Sequence, residues 1–307
     1  MKKALTIILV LCLVFSSVFA QGTKEAAAST AEGTTNLKWA LWDIASTTYY
    51  EPLIKAYEAK NPNVTIEMLD LGSADFMTML QTQLSGGDSS IDIVTIKDIP
   101  GYNNLVKRNL LMNLNDKIKS EKVDVSLYGG TTDQISVDGK LYGIPFRSDF
   151  WVIFYNKDVF DKAGVAYPDN DMTFAEYDAL ARRMTSGTGA AKVYGAHYHT
   201  WRSAVQLFGI LDGKNTIVDG TYNFLKPYYE MVLSQQKDGI VQDYATLKTS
   251  STHYSGVFYN NSVAMMNMGS WFIATLINQI EQGKTEVKNW GLAKYPHAEG
   301  VPAGTTL

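Results

Sequence analysis

The stretch spanning residues 138–164, DGKLYGIPFRSDFWVIFYNKDVFDKAG, constrains this chain more than any other. Asp138-Gly139 supplies the two positive-φ positions of a tight hairpin turn between two short strands. Gly143-Ile144-Pro145 is held extended, because proline disfavours the helical region for the residue before it. Residues 150–155 form a continuous apolar and aromatic run, the pattern of a strand buried on both faces. Asn156 then reads as the N-cap of a short helix, and Gly164 as its stop.

A strand buried on both faces needs helices on either side, and the rest of the chain supplies them. Residues 37–42 (LKWALW) read as a strand. Residues 47–61 have helical spacing, with Tyr50, Leu53, Ile54 and Tyr57 on one face and Pro62 at the end. Residues 64–69 alternate as a strand, and residues 74–84 form a helix closed by Gly86-Gly87. Residues 91–96 (IDIVTI) are a buried strand. This βαβαβ order predicts a parallel sheet with helices on its faces. Residues 102–119 are expected to form two short helices, and residues 123–135 are read as irregular. Thr173-Phe174-Ala175-Glu176 is a capping box opening a helix to about Met184. Strands follow at 193–197, 263–268 and 287–295, with helices at 201–211, 220–236 and 252–260.

Two motifs carry a resemblance. GIPF, a few polar residues and a strand ending in YNKDVFDKAG resemble the extracellular solute-binding proteins of ABC importers, in particular the carbohydrate-type cluster. VAMMNMGSW resembles that family's strand-Gly-x-Trp element, and NWGLAKYP stands before a glycine-containing loop in the same order. The resemblance runs from about Leu37 to the last residue. It implies an α/β fold of two lobes, each a mostly parallel sheet flanked by helices, joined by crossing strands. It implies an N-terminal lobe (37–146) and a second lobe (147–307), preceded by what composition reads as a signal peptide (1–20) and a flexible leader (21–36). In the family the chain then returns to the first lobe. This sequence stops in that loop, at AGTTL, so both lobes are expected to be incomplete, and a truncated reading frame or fragment is expected rather than a genuinely short variant.

The 307 residues, 46% hydrophobic and 19% charged, fit a globular protein with room for two domains rather than a disordered chain. Lys2-Lys3, the apolar run 4–15 and Val18-Phe19-Ala20 read as a secretory signal cut after Ala20. The apolar run is short for a bilayer span. Its removal takes away two positive charges, and the net charge falls from −4 to −6. That balance, with no basic patch, argues against a nucleic-acid partner. The single cysteine, Cys12, lies inside the apolar run and fits a lipoprotein site poorly. The mature chain then has no disulfide and no thiolate nucleophile. An exported protein without a lipid anchor is expected in the periplasm of a diderm bacterium.

In open α/β sheets, ligands bind beyond the carboxyl ends of the strands. The candidates there are Trp42 and Asp43, then Asp75 beside Ser73 and Phe76, then Asp98 beside Lys97. Arg147 and Asp149 precede the crossing strand. Trp201, Ser270 and Trp271 stand in the second lobe. These residue types suit a sugar: aromatic rings meet its C–H face, while Asp and Arg meet its hydroxyls. A wrong epimer leaves a buried polar group unpaired, at roughly 1–3 kcal/mol. Each candidate also has a structural reading. Trp42 can be a lobe-surface residue, Asp98 and Asp149 can cap the helices or loops after them, and Arg147 can be an ion-pair partner. His199 reads as structural, and Trp39 and Trp151 as core.

Signals for other chemistry are weak. Gly187-Thr188-Gly189-Ala190-Ala191-Lys192 lacks phosphate-loop spacing and comes after a helix. His197-Tyr198-His199 offers two metal ligands but no carboxylate at ligand spacing. There is no G-x-S-x-G elbow, and no carboxylate pair is singled out for glycoside hydrolysis. The resemblance implies a monomeric, non-enzymatic protein that captures a mono- or oligosaccharide and delivers it to an ABC importer's permease subunits, with no cofactor or metal. A polyamine- or peptide-binding protein and a secreted carbohydrate-active enzyme are the alternatives.

Overall fold

The computed structural model describes residues 33–73, 75–87, 89–218 and 220–305. The expected signal peptide, with Cys12, and most of the expected leader lie outside the described residues. The described residues divide into two compact units, one comprising 33–42 with 51–95 and the other 43–50 with 96–305.

The first unit is the expected βαβαβ unit. Strand β1 (Thr35–Leu41) lies between β2 (Val64–Asp70) and β3 (Ile93–Val94), parallel to both. Helix α1 (Tyr50–Lys60) and helix α2 (Phe76–Ser85) make the crossovers. The third strand is shorter than its apolar run. Its pairing nevertheless extends on either side, through Asp92 N to Lys38 O (3.0 Å) and Thr95 N to Ala40 O (3.2 Å). Ala40, Leu41, Phe76 and Leu80 form the buried centre.

The second unit opens with helices α3 (Ile99–Lys107), α4 (Asn115–Ser120) and α5 (Thr131–Gln134). The turn after them forms as the Asp-Gly pair predicts: Asp138 (φ 51°) and Gly139 (φ 72°) reverse the chain, and Val137 and Lys140 exchange two 3.0 Å bonds. The hairpin reading places a strand on each flank, but only this bridge forms. The backbone of Leu141 is instead bound at both groups, to Asn115 Oδ1 (2.9 Å) and Leu114 N (2.7 Å).

The main sheet has the order β5-β6-β4-β7. Its strands are β4 (Trp151–Asn156), β5 (Tyr194–His197), β6 (Val263–Gly269) and β7 (Trp290–Ala293). It is mixed: β5 and β6 are parallel, while β4 runs antiparallel to β6 and β7. Every residue of β6 is buried. Helices cover both faces. On one, Phe160 of α6 (Lys157–Ala163), Tyr177 and Leu180 of α7 (Phe174–Met184) and Phe208 of α8 (Ser203–Ile210) pack with Ile153 and Met265, and Val232 of α9 (Lys226–Lys237) joins them. The short helix α10 (Tyr244–Thr249), which periodicity alone does not reveal, starts on the side chain of Asp243. On the other face, Phe258 of α11 (Tyr254–Tyr259) and Phe272 of α12 (Trp271–Glu281) pack on Phe154 and Met266.

The local signals hold. Asn156 Oδ1 accepts from Val159 N (3.3 Å), and Gly164 closes α6 at φ 64°. Thr173 and Glu176 form the full capping box. Helix α9 begins later than its apolar spacing indicates, with Pro227 in its first turn and Gly220 (φ 75°) ahead of it. Among the described residues no helix is long and apolar enough to cross a membrane.

Candidate functional site

Strand direction decides which end of the main sheet is chemically open. The carboxyl ends of β5 and β6 lie together, beside the start of β4, where Trp151 pairs with Gly269. The chain leaves this end through His197-Tyr198-His199 and Gly269-Ser270-Trp271 and enters it through Arg147-Ser148-Asp149-Phe150.

Gly269 is small for a specific reason. A Cβ there would stand 2.0 Å from the Trp271 ring, because the indole folds back over the end of β6. The indole then meets Trp151 edge-on (5.5 Å between centroids) and Trp201 at a 58° tilt (6.0 Å). Burial, followed by the charge of Asp43, raises the Tyr254 phenol far above its ordinary range, against the opposing effect of the nearby Trp271 side chain. Trp201 meets Tyr254 (5.5 Å) and His199 (4.4 Å, 89°) in turn. The result is a corner of tilted indoles with apolar faces, each held by other rings rather than by flexible chain. Each aromatic contact is worth about 0.5–1.5 kcal/mol beyond its buried area.

Beside this corner sits a polar set. Arg147 Nε lies 3.0 Å from Asp149 Oδ2, and its guanidinium also donates to the Tyr49 hydroxyl. Ser270 Oγ donates to Asp149 Oδ1 (3.0 Å) and accepts from Phe150 N (3.2 Å), while Ser270 N donates to Phe150 O (2.8 Å). The Arg147 and Asp149 side chains are 29% and 25% exposed, so their pairing contributes on the order of 1 kcal/mol or less. Its chief consequence is a fork and a carboxylate fixed in place, the two kinds of group that bind hydroxyls through charge-assisted hydrogen bonds. Asp43, in the left-handed region at φ 52°, acts electrostatically on Lys97, His253 and Tyr254. Burial lowers the Lys97 ammonium, against the opposing pull of Asp43 and Asp98.

Arg147, Asp149, Trp201, Ser270 and Trp271 are thus joined by direct contact or through one shared ring, and Asp43 acts by charge on Lys97, His253 and Tyr254. Asp98 is the N-cap of α3, with Oδ1 accepting from Gly101 N at 2.6 Å, in keeping with its structural reading. Trp42 and Asp75 belong to the first unit, where Trp42 is buried with its ring 4.8 Å from that of Phe76, the residue after Asp75. Sequence reasoning missed Tyr49, His253 and Tyr254. Tyr254 is an inward residue of α11, and His253, its N-cap, accepts from Ser255 N, so neither looks unlike an ordinary helix start. His199, read as structural, lies in contact with Trp201, Tyr254 and His253. Among the described residues no group of three or more His, Cys, Asp or Glu is placed to hold a metal ion.

The chain matches the family of bacterial extracellular solute-binding proteins over residues 42–306. It is 56% identical to a sugar transporter from Rhizobium etli whose structure is known in an open conformation. The match covers 89% of this chain and 69% of that one, at a TM-score of 0.67. An ABC substrate-binding protein from Listeria monocytogenes, solved with cycloalternan, shares the fold at 22% identity and a TM-score of 0.73, over 87% of this chain and 68% of that one. The lactose-binding protein of Rhizobium radiobacter is 30% identical over 138 residues, which are 43% of this chain and 32% of that protein. The chain spans 60% of the length of the first curated relatives it matches.

Proposed function

The chain belongs to the family of bacterial extracellular solute-binding proteins, and from that premise we propose that it captures a mono- or oligosaccharide and delivers it to the permease subunits of an ABC importer. One observation carries the reading: the Trp271 indole, laid over Gly269 and cornered by Trp201, stands beside the Arg147–Asp149–Ser270 set. A sugar ring needs both elements at once, an apolar face for its C–H groups and fixed charged donors and acceptors for its rim.

In this reading Trp42, Asp43, Asp75, Asp98, Arg147, Asp149, Trp201, Ser270 and Trp271 contribute to the ligand site, with residues 37–146 and 147–307 as its two lobes. A sugar that touches both lobes favours their closed arrangement by its differential affinity for it, and the permease reads that arrangement. The protein acts as a monomer, without turnover, in the periplasm.

The test is a thermal-shift screen of the chain against mono- and oligosaccharides, polyamines and peptides, since a ligand that binds only the folded state raises the midpoint. A saccharide is expected to shift it. Trp271→Ala is expected to weaken that saccharide on the order of a hundredfold, through lost stacking area and the lost contact to Tyr254. A shift by polyamines or peptides alone refutes the carbohydrate assignment and leaves the fold standing.

A further inference from the structure

We propose that His199 and His253 determine which sugar is accepted, each offering its Nε2–H to an acceptor oxygen on the ligand. The proposal rests on the carbohydrate reading above and adds two neutral donors to the charged fork of Arg147.

The geometry starts with His253. It is the N-cap of α11, and its Nδ1 accepts from Ser255 N (3.4 Å) and meets Ser255 Oγ at 2.7 Å. A proton on Nδ1 would face the Ser255 N–H, so the proton sits on Nε2. His253 is exposed at the rim of the aromatic corner, with its ring 4.0 Å from that of Tyr254 and 6.0 Å from that of His199.

His199 reaches the same state by another route. Its Nδ1 is sealed from solvent with no hydrogen-bond partner. The ring is wedged edge-on between Trp201 (4.4 Å) and Tyr254 (5.4 Å), which fixes the plane of the imidazole. With Nδ1 sealed, the proton is better placed on Nε2, the nitrogen a ligand can meet. The groups acting on His199 are the rings of His197, His253, Tyr254 and Trp201 and the ammonium groups of Lys97 and Lys248. Burial and those cations hold it neutral at pH 7. Two neutral N–H donors, on rings 6.0 Å apart and beside indole faces, match two ring oxygens or hydroxyls of an uncharged sugar. They complement Asp43 and Asp149, which only accept.

The experiment uses the full chain and the saccharide of the panel that raises the midpoint most, with lactose and mannotriose included as probes. His199→Phe keeps an aromatic ring and removes the donor, and it is expected to lower affinity about tenfold or more. His199→Gln places an N–H near the same point and is expected to recover most of the loss. His253→Phe is expected to give a smaller loss and to change the ranking of epimers in the panel. Thermal midpoints of the variants identify any that fail to fold. Wild-type affinity in His199→Phe, with its midpoint retained, overturns the proposal. Long-range ¹H–¹⁵N spectra of the ligand-free protein give a second readout, in which both rings must carry the proton on Nε2. If no saccharide binds the wild type, the carbohydrate reading fails, and a proton on Nδ1 of either ring then independently sinks this one.

Discussion

The two ends of the four-stranded sheet are made from the same strands and are finished in opposite ways. At the Asn156 end the polar groups are matched to one another. Asn156 Nδ2 donates to Asn261 Oδ1 at 2.6 Å, and Asp158 accepts from the side chain of Asn289 (2.6 Å) and its backbone N–H (3.2 Å). At the Trp271 end a fork, a carboxylate, a hydroxyl and tilted indoles come together, and both ring nitrogens of buried His197 and Nδ1 of His199 have no hydrogen-bond partner. One end is closed by hydrogen bonds; the other is held by ring packing and leaves hydrogen-bonding capacity unspent. Unspent capacity behind a rigid core is what a ligand site requires, and the folding free energy comes from the remainder of the sheet.

The largest expected consequence is in the pH dependence of stability. Burial lowers His197 to about 3 and, with the charges of His253, Lys248 and Lys97, lowers His199 to about 4, from an ordinary 6.5. The unfolded chain takes up both protons as the pH drops through 6.5, and the folded chain does so only near 4 and 3. This stability is therefore complete above pH 6.5 and is lost as the pH falls below it. By pH 5 each ring accounts for a loss of about 2 kcal/mol. The closed end behaves differently. The bond from Asn289 lowers the Asp158 carboxyl from its ordinary 3.8, so its contribution stays complete above that value and fades only in stronger acid. Urea unfolding at pH 8, 6.5, 5 and 4 separates the two windows. A flat profile from pH 7 to 5 contradicts the burial of these rings, and His197→Phe is expected to remove about half of the slope.

A pair of glycines sharpens the contrast next. A Cβ on Gly269 would lie 2.0 Å from the Trp271 ring, and one on Gly291 would lie 2.3 Å from the Tyr155 ring at the other end. Each alanine variant overpacks its neighbour, at about 1–3 kcal/mol of stability. Only Gly269→Ala displaces an indole of the proposed site. Its saccharide affinity is expected to fall on the order of a hundredfold, as in Trp271→Ala, while Gly291→Ala leaves affinity within about twofold. Calorimetric titration of both variants decides this, and equal losses of affinity at the two glycines would dissolve the distinction between the ends.

Much of this was legible in the sequence, and the exceptions share a cause. The run at 150–155, the Asn156 cap, Gly164 and the Thr173–Glu176 box are local rules, and the structure keeps each of them. Trp271 was singled out because VAMMNMGSW resembles the family's strand-Gly-x-Trp element and sets it at a helix mouth. Asp98 satisfied a local rule as well, that of the helix cap, and the cap formed. His253 and Tyr254 were invisible because their partners, His199 and Trp201, lie far back along the chain, and no spacing encodes those contacts. The flanks of the Asp138-Gly139 turn failed as strands because Asn115, far along the sequence, claims the backbone that would have paired. Local chemistry fixed the closed end, whereas the open end depends on rings brought together by topology.

The smallest effect tests whether the closed end really is independent of the open one. Asn156 is fully buried; its Oδ1 caps α6, and its Nδ2 holds Asn261, a residue at φ 58°. Asn156→Ala leaves the Val159 N–H and the Asn261 carbonyl without these partners in a region water cannot easily reach. The cost is expected to be about 2 kcal/mol, from a lost cap and an unpaired buried acceptor. Asn156→Asp keeps the cap oxygen but sets a buried carboxylate oxygen against Asn261 Oδ1, so it is expected to cost at least as much as alanine. Both should bind the saccharide with unchanged affinity, because β4 and β6 stay packed on Phe154 and Met266 between the two ends. A tenfold loss of affinity in Asn156→Ala would mean that strain crosses the sheet, and the open end would then owe its geometry to the hydrogen bonds of the closed one.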